Sequence, residues 1–192
     1  VAPSIQRYGP FVLERPQPSP EVFLSDADAV VARWQDFFLA VWKGETHMEA
    51  VDLLDVEMRR YRRENPVPVG LLMVVAERAA LPAAPVRAQM SRHMRRTQEE
   101  IRASALVYEG GGFRAAAIRA VVTGINMVTK TAYPHKVFDS VSSAADWVCE
   151  ADGIRWADCA SNLNEVVATL RREAHVSVSS RPFSASRRTY SA

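Results

Sequence analysis

Three consecutive glycines, Gly110, Gly111 and Gly112, stand directly before Phe113 and Arg114, with Arg119 five positions further on. Backbone N–H groups at a helix start attract anions, and guanidinium groups one and two turns in add to that field. The chemistry this run could perform is contact with a phosphate, as on a nucleotide or an anionic lipid headgroup, or with an acidic partner. Gly110, Gly112 and Ala115 satisfy a loose dinucleotide-binding spacing. That pattern normally follows the first strand and is answered by an acid about 20 residues on. Here it follows a late strand, and the answering stretch reads Thr129-Lys-Thr-Ala-Tyr133. A tight turn that binds nothing is the simpler explanation of the glycines.

No other constellation carries a reaction. His47, His93, His135 and His175 are scattered without metal-ligand spacing, and no Gly-x-Ser-x-Gly elbow is present. Cys149 and Cys159 lack the Cys-x-x-Cys spacing of a zinc or redox site and cannot build a disulfide framework, so they are expected as small buried residues in or near helices. No catalytic residue, metal or cofactor is therefore expected.

The elements that must position these residues alternate along the chain. Residues 29–34 and 37–43 are rich in strand formers and are separated by Gln35-Asp36, which predicts a hairpin. Thr46, with Glu49 three residues later, predicts a capping box opening a long helix with Val51, Leu54, Met58 and Tyr61 on one face. Residues 69–76 and 103–108 read as buried strands. Between them the pattern predicts a helix over 83–100, with Pro85 early, where helices accept it. A helix over 113–129, a short strand over 136–139, a helix opened by Ser140 and a further helix over 154–172 complete the order. The expected fold class is α/β: a mixed sheet of about five strands with about four helices, plus an extra C-terminal helix.

Outside that body lie a Pro-rich extension, residues 1–20, and a tail, residues 174–192, with six serines, three arginines and no acid. Such a tail has too little apolar surface to order itself. The α/β domain is expected over 21–150 and the extra helix within 151–173. The N-terminus lacks the pattern of a secretory signal, and the longest uncharged apolar run is too short to span a bilayer, which predicts a cytoplasmic protein.

Across 192 residues, 24 cations nearly cancel 22 anions, yet the charges are segregated. Residues 21–57 carry −7, residues 58–136 carry +9, and the tail carries +3. Segregation of this kind favours charge-directed association. The arginines at 59–63 and 87–96 lack interleaved aromatics apart from Tyr61, which argues for solvated helix faces rather than a nucleic-acid surface.

Four stretches carry a resemblance: Phe38-Leu-Ala-Val-Trp-Lys-Gly-Glu-Thr46, Val69-Gly-Leu-Leu-Met-Val-Val75, Gly110-Gly-Gly-Phe-Arg114, and Val137-Phe-Asp-Ser-Val-Ser-Ser-Ala-Ala145 leading to Trp147. With their order, residues 22–150 resemble the STAS, or SpoIIAA-like, superfamily. The resemblance implies a non-enzymatic, regulatory protein-interaction module that docks on a protein partner or on a second copy of itself. Anti-sigma-factor antagonists of this kind are switched by phosphorylation of a Ser or Thr at a helix start after the third strand. The corresponding segment here, Glu77 to Pro85, contains no Ser or Thr, so that switch is not expected. The alternative from the residues themselves is a domain binding a small anionic lipid or nucleotide at Gly110–Arg114.

Overall fold

The structure, a computed structural model, describes residues 18–112, 116, 132–151 and 158–173. Six strands form one sheet in the order β1-β2-β3-β4-β5-β6. They are β1 (Glu21–Ser25), β2 (Ala29–Trp34), β3 (Phe37–Trp42), β4 (Val69–Val75), β5 (Ile101–Tyr108) and β6 (His135–Phe138). The first three run antiparallel, and β3 through β6 are mutually parallel. Four helices are described: α1 (Met48–Glu64), α2 (Ala84–Arg96), α3 (Val141–Ala151) and α4 (Cys159–Glu173). The fold is thus the expected α/β mixed sheet, with one strand more than expected.

The hairpin forms where the sequence places it: Trp34 pairs with Phe37 across Gln35-Asp36. Gln35 takes a left-handed φ of 54°, as a two-residue hairpin turn of this hand requires. The added strand is β1, an edge strand whose residues are mostly half-buried and whose pairing with β2 is interrupted between Val22 and Leu24. Asp26 sets the turn that follows, its carboxylate accepting the N–H groups of Asp28 and Ala29 at 2.8 Å each.

Alternation along the strands fills two cores. Val30, Ala32 and Trp34 of β2 join Leu39 and Val41 of β3, Leu72 and Val74 of β4, and Ala103, Ala105 and Val107 of β5 against α3 and α4. On the other face Val31, Phe38, Ala40, Trp42, Leu71 and Met73 meet Val51, Leu54 and Met58 of α1. Strands covered on both faces read as unbroken apolar runs, which is why β3, β4 and β5 are so plain in the sequence.

Three helix boundaries differ from expectation. Thr46 does not cap α1: His47 is the N-cap and supplies no side-chain cap bond. Its ring is held by Asp28 at 3.1 Å, and the same carboxylate accepts the N–H of Glu45 at 3.0 Å, so the entry to α1 is tied to the β1–β2 turn instead. Helix α2 stops at Arg96 rather than near residue 100: the buried Thr97 is its C-cap, its N–H and hydroxyl both donating to the His93 carbonyl. The N–H groups of Glu100 and Ile101 then turn back to the Thr97 carbonyl and deliver the chain into β5. Helix α4 starts at Cys159 because Asp158 has φ 69°, a left-handed backbone that no helix runs through. The helix expected over 113–129 lies outside the described residues, as do the Pro-rich residues 1–17 and the tail.

Both cysteines are buried and helical, as expected, and they are also bonded to each other. The Cys149–Cys159 bridge ties the end of α3 to the start of α4, a pairing that spacing alone does not reveal.

Candidate functional site

Ligands on parallel sheets gather at the carboxyl ends of the strands, where the backbone fans out and helix starts converge. Among the described residues, two concave surfaces lie along that edge.

The first is a cleft of about 410 Å³ beyond β5 and β6, lined by Tyr108, Gly110, Lys136, Phe138, Asp139 and Ser143 among others. Tyr108 ends β5 with its side chain buried and its hydroxyl without a hydrogen-bond partner. The ring lies against Gly110, where a Cβ would stand 2.2 Å from the hydroxyl oxygen. Glycine at 110 is therefore a requirement of close approach. Gly112 has φ 63°, the conformation in which glycine is unstrained. Lys136 is exposed and sits 5.1 Å from the centroid of the Phe138 ring. Ser140 caps α3: its hydroxyl accepts the N–H of Ser143 at 3.3 Å and lies 2.9 Å from the Ser143 hydroxyl. Arg171 and Glu109 pair at 2.7 Å, linking the last turn of α4 to the end of β5.

Of the six residues expected at this site, Gly110 lines the cleft and Gly111 and Gly112 follow it, with open space around both. Phe113, Arg114 and Arg119 lie outside the described residues. Tyr108, Lys136, Asp139 and Ser143 were not singled out by sequence. The signal available for them was position: each stands within a few residues of the carboxyl end of a parallel strand.

The second surface is a groove of about 330 Å³ between the start of α1 and the loop from β4 to α2, lined by residues 45–49, 80–83 and 86. Backbone bonds stitch it together, from the Ala76 N–H to the Trp42 carbonyl and from the Ala80 N–H to the Gly44 carbonyl, both 2.9 Å. Met48 and Leu81 are 41% and 44% exposed in it. Glu45 and Glu49 border them and make no ion pair among the described residues. Beside them the His47–Asp28 hydrogen bond holds the imidazole pKa above its ordinary value and the Asp28 carboxyl below its own.

Beneath these surfaces the α1–α2 seam carries a buried carboxylate. Asp55 accepts from Arg59 at 2.6 Å and from His93 Nδ1 at 3.1 Å, with Arg96 at 3.4 Å. Burial pushes its pKa up, and these three partners more than offset that, leaving it below the usual carboxylate range. Nearby Glu100 is raised, by burial first and by Asp55 second. His93 and Arg96 clamp α2 to α1 through Asp55, while Arg59 pairs with it one turn along α1 itself. Among the described residues no group of three or more His, Cys, Asp or Glu side chains could hold a metal ion, and no helix is long and apolar enough to cross a membrane.

Among solved structures, the chain is similar to an uncharacterised protein from the DUF3478 family with a SpoIIAA-like fold from Shewanella loihica PV-4. The two are 14% identical, the match covers 70% of this chain and 99% of that one, and the TM-score is 0.45. No protein-family model and no curated protein matches the chain.

Proposed function

We propose that the chain is a non-catalytic interaction module that docks a cationic, partly apolar segment of a protein partner in the groove between α1 and the β4–α2 loop. The observation that carries this reading is the pairing of Met48 and Leu81, both two-fifths exposed, in one concave surface edged by Glu45 and Glu49, which make no ion pair among the described residues. Apolar side chains gathered in a groove mark contact surfaces, and an acidic rim selects and orients a basic partner. The groove also includes part of the Glu77–Pro85 segment, which corresponds to the switch segment of the proteins the sequence resembles. With no Ser or Thr there, association is governed by charge and by partner availability rather than by phosphorylation of that loop.

The test compares capture from the native host by the full chain, by Leu81→Asp and by Val67→Asp, the last altering an apolar residue that is 59% exposed away from the groove. A cationic partner lost with Leu81→Asp and kept with Val67→Asp is the expected result. Identical capture by both variants would overturn the groove as the docking site. Light scattering on the same samples reports whether the partner is a second copy of the chain.

A second reading, a domain that binds a small anionic ligand, is favoured by the unpartnered Tyr108 hydroxyl and Lys136 in one cleft.

A further inference from the structure

The cleft beyond β5 and β6 has a composition that narrows its ligand, and the inference rests on the second reading above. We infer that it takes a phosphate ester borne on a hydroxylated small molecule, such as a sugar phosphate or the polyol phosphate of a lipid headgroup.

Three features converge on the phosphate. Lys136 makes no ion pair among the described residues, even though Asp139 lines the same cleft. Its ammonium is held over the Phe138 ring, a contact that keeps the charge near the cleft without neutralising it. The second feature is the Tyr108 hydroxyl, on a residue only 3% exposed that lines the cleft, with no hydrogen-bond partner among the described residues. A buried hydroxyl left unsatisfied costs about 1–3 kcal/mol, and a ligand oxygen accepting its proton would recover that. The third is the start of α3. Ser140 satisfies the N–H of Ser143, which lines the cleft, and the remaining first-turn N–H groups have no partner inside the helix, so the start of α3 brings a donor-rich helix end to the cleft.

Asp139 decides the rest of the ligand. A carboxylate on the same cleft repels a bare anion, so the bound molecule must bring hydroxyl groups to donate to it. Phe138 and Val137, both half-buried, supply an apolar wall for a ring or carbon chain. A volume of about 410 Å³ lies within the range of small-molecule sites. Phosphate on the Lys136 and Tyr108 side, hydroxyls on the Asp139 side and carbon against Phe138 give each charged group of the lining a partner.

The test titrates the full chain, by calorimetry and by thermal shift, with ribose 5-phosphate, ribose, inorganic phosphate and malate. Vesicles of phosphatidylinositol and of phosphatidylcholine are sedimented with it in parallel. Ribose 5-phosphate is expected to bind at least about tenfold more tightly than inorganic phosphate, with ribose silent. Phosphatidylinositol binding without ribose 5-phosphate binding also supports the inference and assigns the group to a lipid. Lys136→Met should cost about tenfold in affinity or more. Tyr108→Phe should weaken binding several-fold while leaving the ligand-free melting temperature unchanged or higher, the opposite of what a purely structural tyrosine would do. Malate binding as well as ribose 5-phosphate overturns the phosphate assignment and keeps the anionic-ligand reading. Silence from every probe, vesicles included, overturns both.

Discussion

His135 opens β6 with both ring nitrogens buried and without hydrogen-bond partners among the described residues, and burial pushes its pKa down to about 4. In the unfolded chain an imidazole titrates near 6.5, so between these values the unfolded state binds a proton that the folded state does not. Stability contributed by the neutral ring is complete above about pH 6.5 and falls as pH drops toward 4, by about 3 kcal/mol in all. Urea unfolding of His135→Gln should show a flatter loss over that window than the parent chain. Asp55 acts in the same direction lower on the scale. Its pKa is depressed, so its stabilising effect is present above the ordinary carboxylate value and lost as pH falls through the folded one. Neither group was legible as an acid sensor. A lone histidine before a short strand and an aspartate inside a helix look ordinary until the fold buries them.

The strands explain how much of the architecture could be read in advance. The β2–β3 hairpin, β4 and β5 were legible because strands buried on both faces must be apolar throughout, and the two-residue turn left no other pairing. Strand β1 was not, since an edge strand with one half-buried face keeps Glu21 and Ser25 and loses that signature. The α1 cap was misread because Thr46-x-x-Glu49 satisfies a local rule that Asp28, distant in sequence, overrides by holding His47 and Glu45. Register imposes another local demand: Phe37 lies beside Gly70, and a Cβ at 70 would stand 2.4 Å from the ring. Gly70→Ala is expected to destabilise by about 1–3 kcal/mol, measured by urea midpoint, because Phe37 is fully buried and has nowhere to move. The Cys149–Cys159 bridge closes a short loop between α3 and α4, and reducing it should lower stability by about 3 kcal/mol. A thermal melt with and without dithiothreitol measures that, and Cys149→Ser/Cys159→Ser should abolish the difference.

Across the whole molecule, the acidic front and the basic middle of the chain meet inside one subunit. Asp55 faces Arg59 and Arg96, Glu57 reaches Arg60, and Asp36 pairs with Arg102 at 2.9 Å. Folding thus spends much of the segregation internally and leaves Glu45 and Glu49 at the groove. Charge counting could show that opposite blocks exist but not which members cancel, because Asp55 meets Arg96 only where α2 lies beside α1, and Asp36 meets Arg102 only where the β2–β3 turn approaches β5. For the same reason the candidate sites were half legible. Gly110 was found from its triplet, whereas Lys136 and Leu81 acquire meaning only when distant loops share an edge of the sheet. The groove's field is adjustable through His47, whose pKa is raised first of all by its bond to Asp28. Deprotonation above that raised value removes a cation from the rim, so affinity for a basic partner should increase as pH passes upward through it. Added salt should weaken the complex at every pH. Titration of the captured partner across pH 6–9 checks both signs, and His47→Gln should remove the pH dependence while keeping the salt effect.

The break in pairing between Val22 and Leu24 has a consequence for how copies of this chain can meet. Exposed strand edges are templates on which sheets polymerise, and an irregular, short edge strand disrupts the row of donors and acceptors that a second sheet would need. Along β1, growth into a continuous intermolecular sheet is therefore discouraged by the backbone itself. Self-association at that border would have to proceed through side-chain complementarity, which is reversible and selective, rather than through open-ended ladder formation.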